Sequence, residues 1–110
     1  MSTETSLLNS LPPMEGLGQT LAIELVEVTC ERVVMRMPVT LRHRQPLGFL
    51  HGGASLALAE HAASLGAYLN CPLRMTAFGQ QINTNHIRSL REVVLTATAT
   101  PLHVGRTSQV

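Results

Sequence analysis

Glu60 is the residue that the sequence places best for acid–base chemistry. It lies in a helix predicted over about residues 54–69, an apolar stretch with six alanines, whose polar residues are Ser55, Glu60, His61 and Ser64. An apolar environment disfavours a charged carboxylate, which suits such a group to act as a general base. The alternative is an ordinary helix carboxylate that faces solvent or an ion pair, but the stretch has no polar face to direct it there.

Two neighbouring features could serve the same reaction. Ser64 follows Glu60 by four residues, hence on the same helical face, where it could orient water or only bond to the preceding turn. Gly52 and Gly53 stand where a helix would begin, and its free N–H groups could form an oxyanion hole. The glycines could equally serve only to turn the chain.

The spacing of Gly53 and Glu60 constrains how they could cooperate. Seven residues of helix separate them by about 10 Å along the axis. One carbonyl group cannot easily contact both. If both serve one reaction, we expect Glu60 of one subunit to face the Gly53 amide of another, in an oligomer.

The rest of the chain supplies strands that would position this helix. On residues 32–39, Val33, Met35, Met37 and Val39 alternate with Arg32, Val34 and Arg36, which predicts a strand with one buried face. Residues 19–28 are β-rich and would form a hairpin with it.

Further strands are predicted over 78–87, over 92–102 and from Thr107. Residues 1–18 are a lead-in, with a short helix around 6–11. The sum is one α+β domain over residues 1–110, an antiparallel sheet with one central helix.

Composition excludes several functions. The 110 residues are 45% hydrophobic and 14% charged, as expected for one folded domain. A net charge of +1 and 3% aromatic residues without tryptophan argue against nucleic acid and anionic membranes as partners. Cys30 and Cys71 form no CxxC motif, and no histidine spacing is typical of a metal site. Without a recognisable signal peptide or membrane span, we expect a cytoplasmic protein.

Other polar residues could bind substrate. His51 precedes the two glycines and could donate to a substrate or cap the helix. His86 lies on a polar segment that could line a pocket or a dimer seam. Arg88, Arg91 and Arg106 could contact phosphates or serve as ordinary surface residues.

The chain resembles hotdog-fold acyl-CoA thioesterases in the segment from Gln45 to Tyr68, QPLGFLHGGASLALAEHAASLGAY. The branch concerned contains the phenylacetate-pathway and 1,4-dihydroxy-2-naphthoyl-CoA thioesterases. The later segments INTNHIRSL and ATPLHVGRTSQV are similar to strand motifs of that family. The resemblance runs from about Leu17 to the end and implies a hotdog fold, with an antiparallel sheet wrapped around one long central helix.

The resemblance also implies residue roles. Glu60 would be the general base or the nucleophile on the thioester, and Gly53 of the other subunit would supply the oxyanion N–H. Gln45 would polarise the carbonyl, His51 would assist, and Ser64 would position water. The nucleotide end of coenzyme A would contact a set of strand and loop residues: His86, Arg88, Ser89, Gly105 and Arg106. No cofactor or metal is implied, and the expected assembly is a homo-oligomer, either a dimer or a dimer of dimers (homotetramer).

The implied reaction is hydrolysis of an acyl- or aroyl-CoA thioester to a free acid and coenzyme A. Relatives commonly have a glycine in the turn at residues 89–92 and continue through the strand begun at Thr107 and one more, so the chain is expected to be C-terminally shortened. Either it is a truncated version, or another molecule supplies the missing strand, or the fold is damaged. One alternative is a non-catalytic hotdog subunit that binds acyl-CoA or is structural. A hotdog dehydratase acting on acyl carrier protein is less favoured, since LHGG stands where those enzymes have an FPG-type motif.

Overall fold

A bulged β-hairpin opens the sheet in the computed structural model of the chain, which describes residues 11–91 and 93–110. Strand β1 (Glu24–Val28) pairs antiparallel with β2 (Val33–Pro38), and the register shifts between Leu25 and Glu27. A single helical turn, α1 (Leu17–Thr20), occupies part of the segment predicted as strand from residue 19. That part of the prediction is wrong, because the chain turns at Ala22, whose φ is 57°, before it can extend.

The alternation predicted for β2 is confirmed. Val33, Met35 and Met37 are at most 1% exposed, whereas Arg36 on the opposite face pairs with Glu24 of β1 at 2.5 Å. Successive side chains of a strand point to opposite faces, so one face of β2 enters the core while the other carries ion pairs.

Strand β3 (Val94–Ala99) pairs antiparallel with β2 and completes a sheet of order β1-β2-β3. It is shorter than the predicted 92–102. Pro101 follows its end and has no N–H to donate to a ladder. Glu92, the first residue of the predicted strand, lies outside the described residues, as does most of the helix predicted around 6–11.

Two predicted strands are not formed. Residues 78–87 have no strand partner in the part of the chain that the structure describes. Their polar residues lie on both faces, so neither face offers an apolar surface to hold them against the sheet. After Thr107 there is only an isolated bridge between Val104 and Gln109, because the chain folds back in a turn that Gly105 N–H closes on Ser108 O at 2.8 Å.

The long helix α2 (Gly52–Leu69) begins at the two glycines instead of at Ala54. His51 caps it, since its Nδ1 accepts the Gly53 N–H at 2.8 Å. At the other end Asn70 donates from Nδ2 to Cys30 O at 2.7 Å, which fixes the helix to the β1–β2 turn. None of the helices in the described residues has the length and hydropathy of a membrane span.

One face of α2 packs on the sheet and forms the core. Ala54, Leu58 and Ala62 are buried and repeat every four residues, as one helical face does. The small side chains of Ala54 and Ala62 let the helix approach the buried face of β2 closely, and Leu58 packs between them. The predicted α+β arrangement of one long helix on an antiparallel sheet is confirmed. The sheet covers only this face, and Ala59 and Ala63 stay exposed.

His43 is a buried histidine, 1% exposed, whose ring is fully hydrogen-bonded. Its Nε2 contacts Leu21 O at 2.7 Å and its Nδ1 accepts the Thr40 N–H at 2.9 Å. Since a backbone N–H donates to Nδ1, the ring proton is on Nε2 and is donated to Leu21. The His43 carbonyl accepts the N–H of His51, the helix cap, at 2.8 Å. His43 therefore links the segment after α1 to the start of α2.

Replacing His43 with alanine is expected to lower the free energy of unfolding by about 1–3 kcal/mol, because the fully buried ring and its two part-buried hydrogen bonds, to Leu21 O and from Thr40 N–H, are lost. Urea denaturation followed by circular dichroism, at one fixed protein concentration, measures this. The matched control is His103→Ala, since His103 is exposed, and its effect should stay within about 0.5 kcal/mol. Equal losses in the two variants would contradict a structural role for the His43 ring.

Candidate active site

A cleft of about 300 Å³ lies along the face of α2 that points away from the sheet. Helical spacing explains its composition, since residues three, four and seven apart share one face. Its lining residues are Gly53, Leu56, Ala57 and Glu60 of α2, with Gly79, Gln80, Gln81 and Ile82 of the segment after the helix. Glu60 is the one carboxylate among them.

Glu60 is half-buried at this cleft. Ser64 donates from Oγ to Glu60 Oε1 at 3.3 Å, as their four-residue spacing predicts. On the other side the backbone of Gly79 passes close to the carboxylate, so that a Cβ added there would lie 3.2 Å from Glu60 Cδ. A carboxylate held in this way and open to a cleft can take a proton from water or attack an electrophile.

The first turn of α2 contains the backbone N–H groups of Gly52 and Gly53, which differ in whether they are already hydrogen-bonded. The Gly53 N–H is engaged, because it donates to His51 Nδ1 at 2.8 Å. For the Gly52 N–H, no acceptor is found among residues 11–91 and 93–110. The donor predicted for an oxyanion hole is therefore occupied by the helix cap, and its neighbour is available.

His86 lies beside the first turn of α2, although it is distant from that turn in the sequence. Its Nε2 lies 3.4 Å from Ser55 Oγ, and its ring is so close to Gly52 that a Cβ added there would be 3.0 Å from His86 Cε1. Ser55 also donates to Gly52 O at 2.8 Å. The structure thus brings both predicted histidines, His51 and His86, to the start of α2.

Gln45 is not part of the cleft in this chain. Its Oε1 accepts the Leu47 N–H at 2.5 Å, and its backbone N–H donates to Phe49 O at 2.8 Å, so the residue is held in its own turn. Its side-chain Nε2 has no hydrogen-bond partner in the described part of the chain. This nitrogen therefore remains available to donate to a ligand.

The remaining predicted ligand contacts lie apart. Arg88 and Ser89 are exposed in the segment before β3, and Gly105 and Arg106 lie in the turn near the end. No hydrogen bond or ion pair joins the two pairs within the described ranges. Nor do these ranges hold three or more His, Cys, Asp or Glu side chains grouped as a metal site requires.

The sequence missed the residues after the helix that close the cleft. Gly79 could have been identified from the sequence, because a glycine inside a strand-like segment often marks a close approach of the backbone to another group. Gln80 and Gln81 could not, since consecutive amide side chains are typical of exposed segments. Their place opposite Glu60 depends on how the chain returns along α2.

Comparisons of the sequence with a family model and with known proteins identify thioesterases or CoA-thioester hydrolases as similar to this chain. A model of the thioesterase superfamily matches residues 47–110, which include α2 and the segment that closes the cleft. The chain is 44% identical over 95 residues to a 1,4-dihydroxy-2-naphthoyl-CoA hydrolase of Listeria monocytogenes, covering 86% of this chain and 77% of that one. An Escherichia coli protein of the same name is 35% identical over 106 residues, covering 92% and 78%.

A solved structure shows the same fold. A mutant thioesterase from Pseudomonas aeruginosa superposes with a TM-score of 0.84 at 34% identity, covering 99% of this chain and 78% of that one. The superposition thus includes the sheet, the helix and the cleft together.

Proposed function

This chain belongs to the thioesterase superfamily and is a thioester hydrolase, and we propose that it hydrolyses an acyl- or aroyl-CoA thioester to a free acid and coenzyme A. The observation that carries the proposal is the cleft along α2 with the Glu60 carboxylate in its wall. The names of the Listeria and Escherichia relatives specify an aroyl-CoA substrate, which supports that class.

Glu60 is the proposed catalytic residue, in one of two roles. As a general base it takes a proton from a water whose oxygen bonds to the thioester carbon, after which the C–S bond breaks and the coenzyme A sulfur takes up a proton. As a nucleophile its own oxygen bonds to that carbon and expels the thiolate, and water then hydrolyses the mixed anhydride. Ser64, which donates to Glu60 Oε1, would hold the carboxylate or position the water.

An oxyanion hole at the start of α2 is the second element of the proposal. N–H groups at a helix N-terminus can stabilise the negative charge that develops on the carbonyl oxygen. The Gly53 N–H becomes available only when the His51 ring turns away from it, whereas the Gly52 N–H can donate as it stands. The proposed hole therefore uses Gly52 first, with Gly53 as a donor that His51 controls.

Gln45 and the coenzyme A contacts complete the proposed site. The free Nε2 of Gln45 would polarise the carbonyl, and His86, beside Gly52, would contact the coenzyme A moiety with Arg88, Ser89, Gly105 and Arg106. Gln45 does not reach the Glu60 cleft of its own chain. About 10 Å of helix also separates Gly53 from Glu60. We therefore propose that two subunits contribute to each site.

Exposed apolar residues on the segment between α2 and β3 support this assembly. Leu73, Phe78 and Ile87 are 91%, 85% and 94% exposed on the segment that carries Gly79. Several large apolar side chains left exposed on one segment favour contact with another subunit. Light scattering is expected to give a dimer or a tetramer, with activity per chain falling on dilution as subunits separate. A fully active monomer would contradict a shared site.

The activity is tested by incubating the chain with a panel of acyl- and aroyl-CoA thioesters. Because Cys30 is an exposed free thiol that would react with thiol reagents, the free acid should be quantified by chromatography. We expect acid to form from at least one member of the panel. Coenzyme A binding without acid formation would favour the alternative, a non-catalytic binding subunit.

A further inference from the structure

The backbone of Gly79 occupies the space next to the Glu60 carboxylate. A Cβ added at Gly79 would overlap Glu60 Oε1 and would lie 3.2 Å from Cδ and 3.4 Å from Oε2. Ser64 donates to the same Oε1 from the helix side. The carboxylate is thus held between a hydroxyl on α2 and a residue without a side chain.

The backbone conformation does not explain this glycine. Among the described residues, the glycines with positive φ are Gly16 and Gly48, at 74° and 90°, and an added Cβ at either would meet nothing within 4 Å. Those two are required by their turns. Gly79 is the opposite case, because its φ is accessible to alanine and the nearest obstacle to a Cβ is the Glu60 carboxylate.

We infer that Gly79 is a positioning residue for catalysis, whose missing side chain lets the segment 79–82 close on Glu60 and keeps the carboxylate turned towards the cleft. The inference rests on the proposed role of Glu60. A Cβ at this position would push away the far end of a flexible side chain. The fold would therefore persist while the carboxylate loses its orientation.

The first test is Gly79→Ala. A displacement of reacting groups by about 1 Å can lower the rate by up to about 100-fold, so we expect kcat to fall by about 10–100-fold. KM and the urea midpoint should be nearly unchanged. The matched control is Gly66→Ala on α2, where a Cβ would lie 3.6 Å from Val33 Cγ2, an ordinary contact, and kcat should be retained.

The second test is rescue by a shorter acid. Glu60→Asp shortens the side chain by one methylene group, which moves the carboxylate away from residue 79 and leaves room for the Cβ that Gly79→Ala adds. We expect Gly79→Ala to lower kcat much less in the Glu60→Asp background than in the original chain. The same fold-loss in both backgrounds would indicate a general structural effect and overturn the inference.

A crystal structure of Gly79→Ala tests the orientation of the Glu60 carboxylate directly, without an activity measurement. A carboxylate turned away from the cleft supports the inference, and an unchanged carboxylate overturns it. The premise is checked by Glu60→Ala. If that variant remains active, the proposed function fails and the inference with it. If it is inactive while Gly79→Ala retains full kcat, only the inference fails.

Discussion

Replacing Glu60 with alanine is expected to lower kcat by about 10²–10⁴-fold, the range that a general base contributes, while the subunits still assemble. The loss follows from the place of the carboxylate in the wall of the cleft, where it is the one lining residue able to accept a proton from water. The chain should still fold because Glu60 is not on the buried face of α2. The subunits should still assemble because the proposed interface rests on exposed apolar residues, which this substitution leaves in place. Free-acid formation and light scattering on the same sample measure the two properties together.

Two further variants make this result specific to the carboxylate. Glu60→Gln keeps the shape of the side chain but removes its basicity, and it should be as inactive as Glu60→Ala. Glu31→Gln removes an exposed carboxylate in the β1–β2 turn and should leave kcat unchanged. Loss of the oligomer in Glu60→Ala would show that Glu60 is structural, and retained turnover would exclude it as base and as nucleophile.

Replacing Gly52 with proline is expected to lower kcat by about 10²–10³-fold, the effect of removing one oxyanion donor. Proline lacks an N–H, and it is well tolerated at the first position of a helix. It also requires an extended residue before it, and His51 already has φ −69° and ψ 128°. The helix should therefore form normally, and circular dichroism checks this.

Gly52→Ala is the matched control, since it introduces the same Cβ near the His86 ring but keeps the N–H. If the proline and alanine variants have equal kcat, Gly52 is not the donor and the role passes to Gly53. His51→Ala would then free the Gly53 N–H and should preserve or raise kcat. In either case His51→Ala removes the helix cap, so we expect the free energy of unfolding to fall by about 0.5–2 kcal/mol.

The sequence predicted those parts of the fold that depend on local periodicity. The period of two on β2 identified Val33, Met35 and Met37 as buried, because a sheet with one covered face imposes that pattern. The alanine-rich stretch predicted α2, but it placed the start at Ala54. The actual start at Gly52 depends on the His51 ring bonding to a backbone N–H, which periodicity does not register.

The parts that could not be predicted depend on contacts distant in sequence. The Glu60–Ser64 pair follows from helical spacing alone. In contrast, the approach of Gly79 to Glu60 and that of His86 to Gly52 depend on the path of the chain after α2. Residues 78–87 were predicted as a strand from their alternation, yet pairing requires a neighbouring strand, which the described part of this chain does not supply.

The two opposite faces of α2 also bear on how such a protein can evolve. Ala54, Leu58 and Ala62 pack on the sheet, where a larger side chain would strain the core. Leu56 and Ala57 face the cleft and take no part in that buried set. Mutations at these cleft positions can therefore accumulate without loss of folding. If the acyl group of the proposed substrate binds in this cleft, substitutions at these positions would change which acyl group fits while leaving the packing of α2 on the sheet intact.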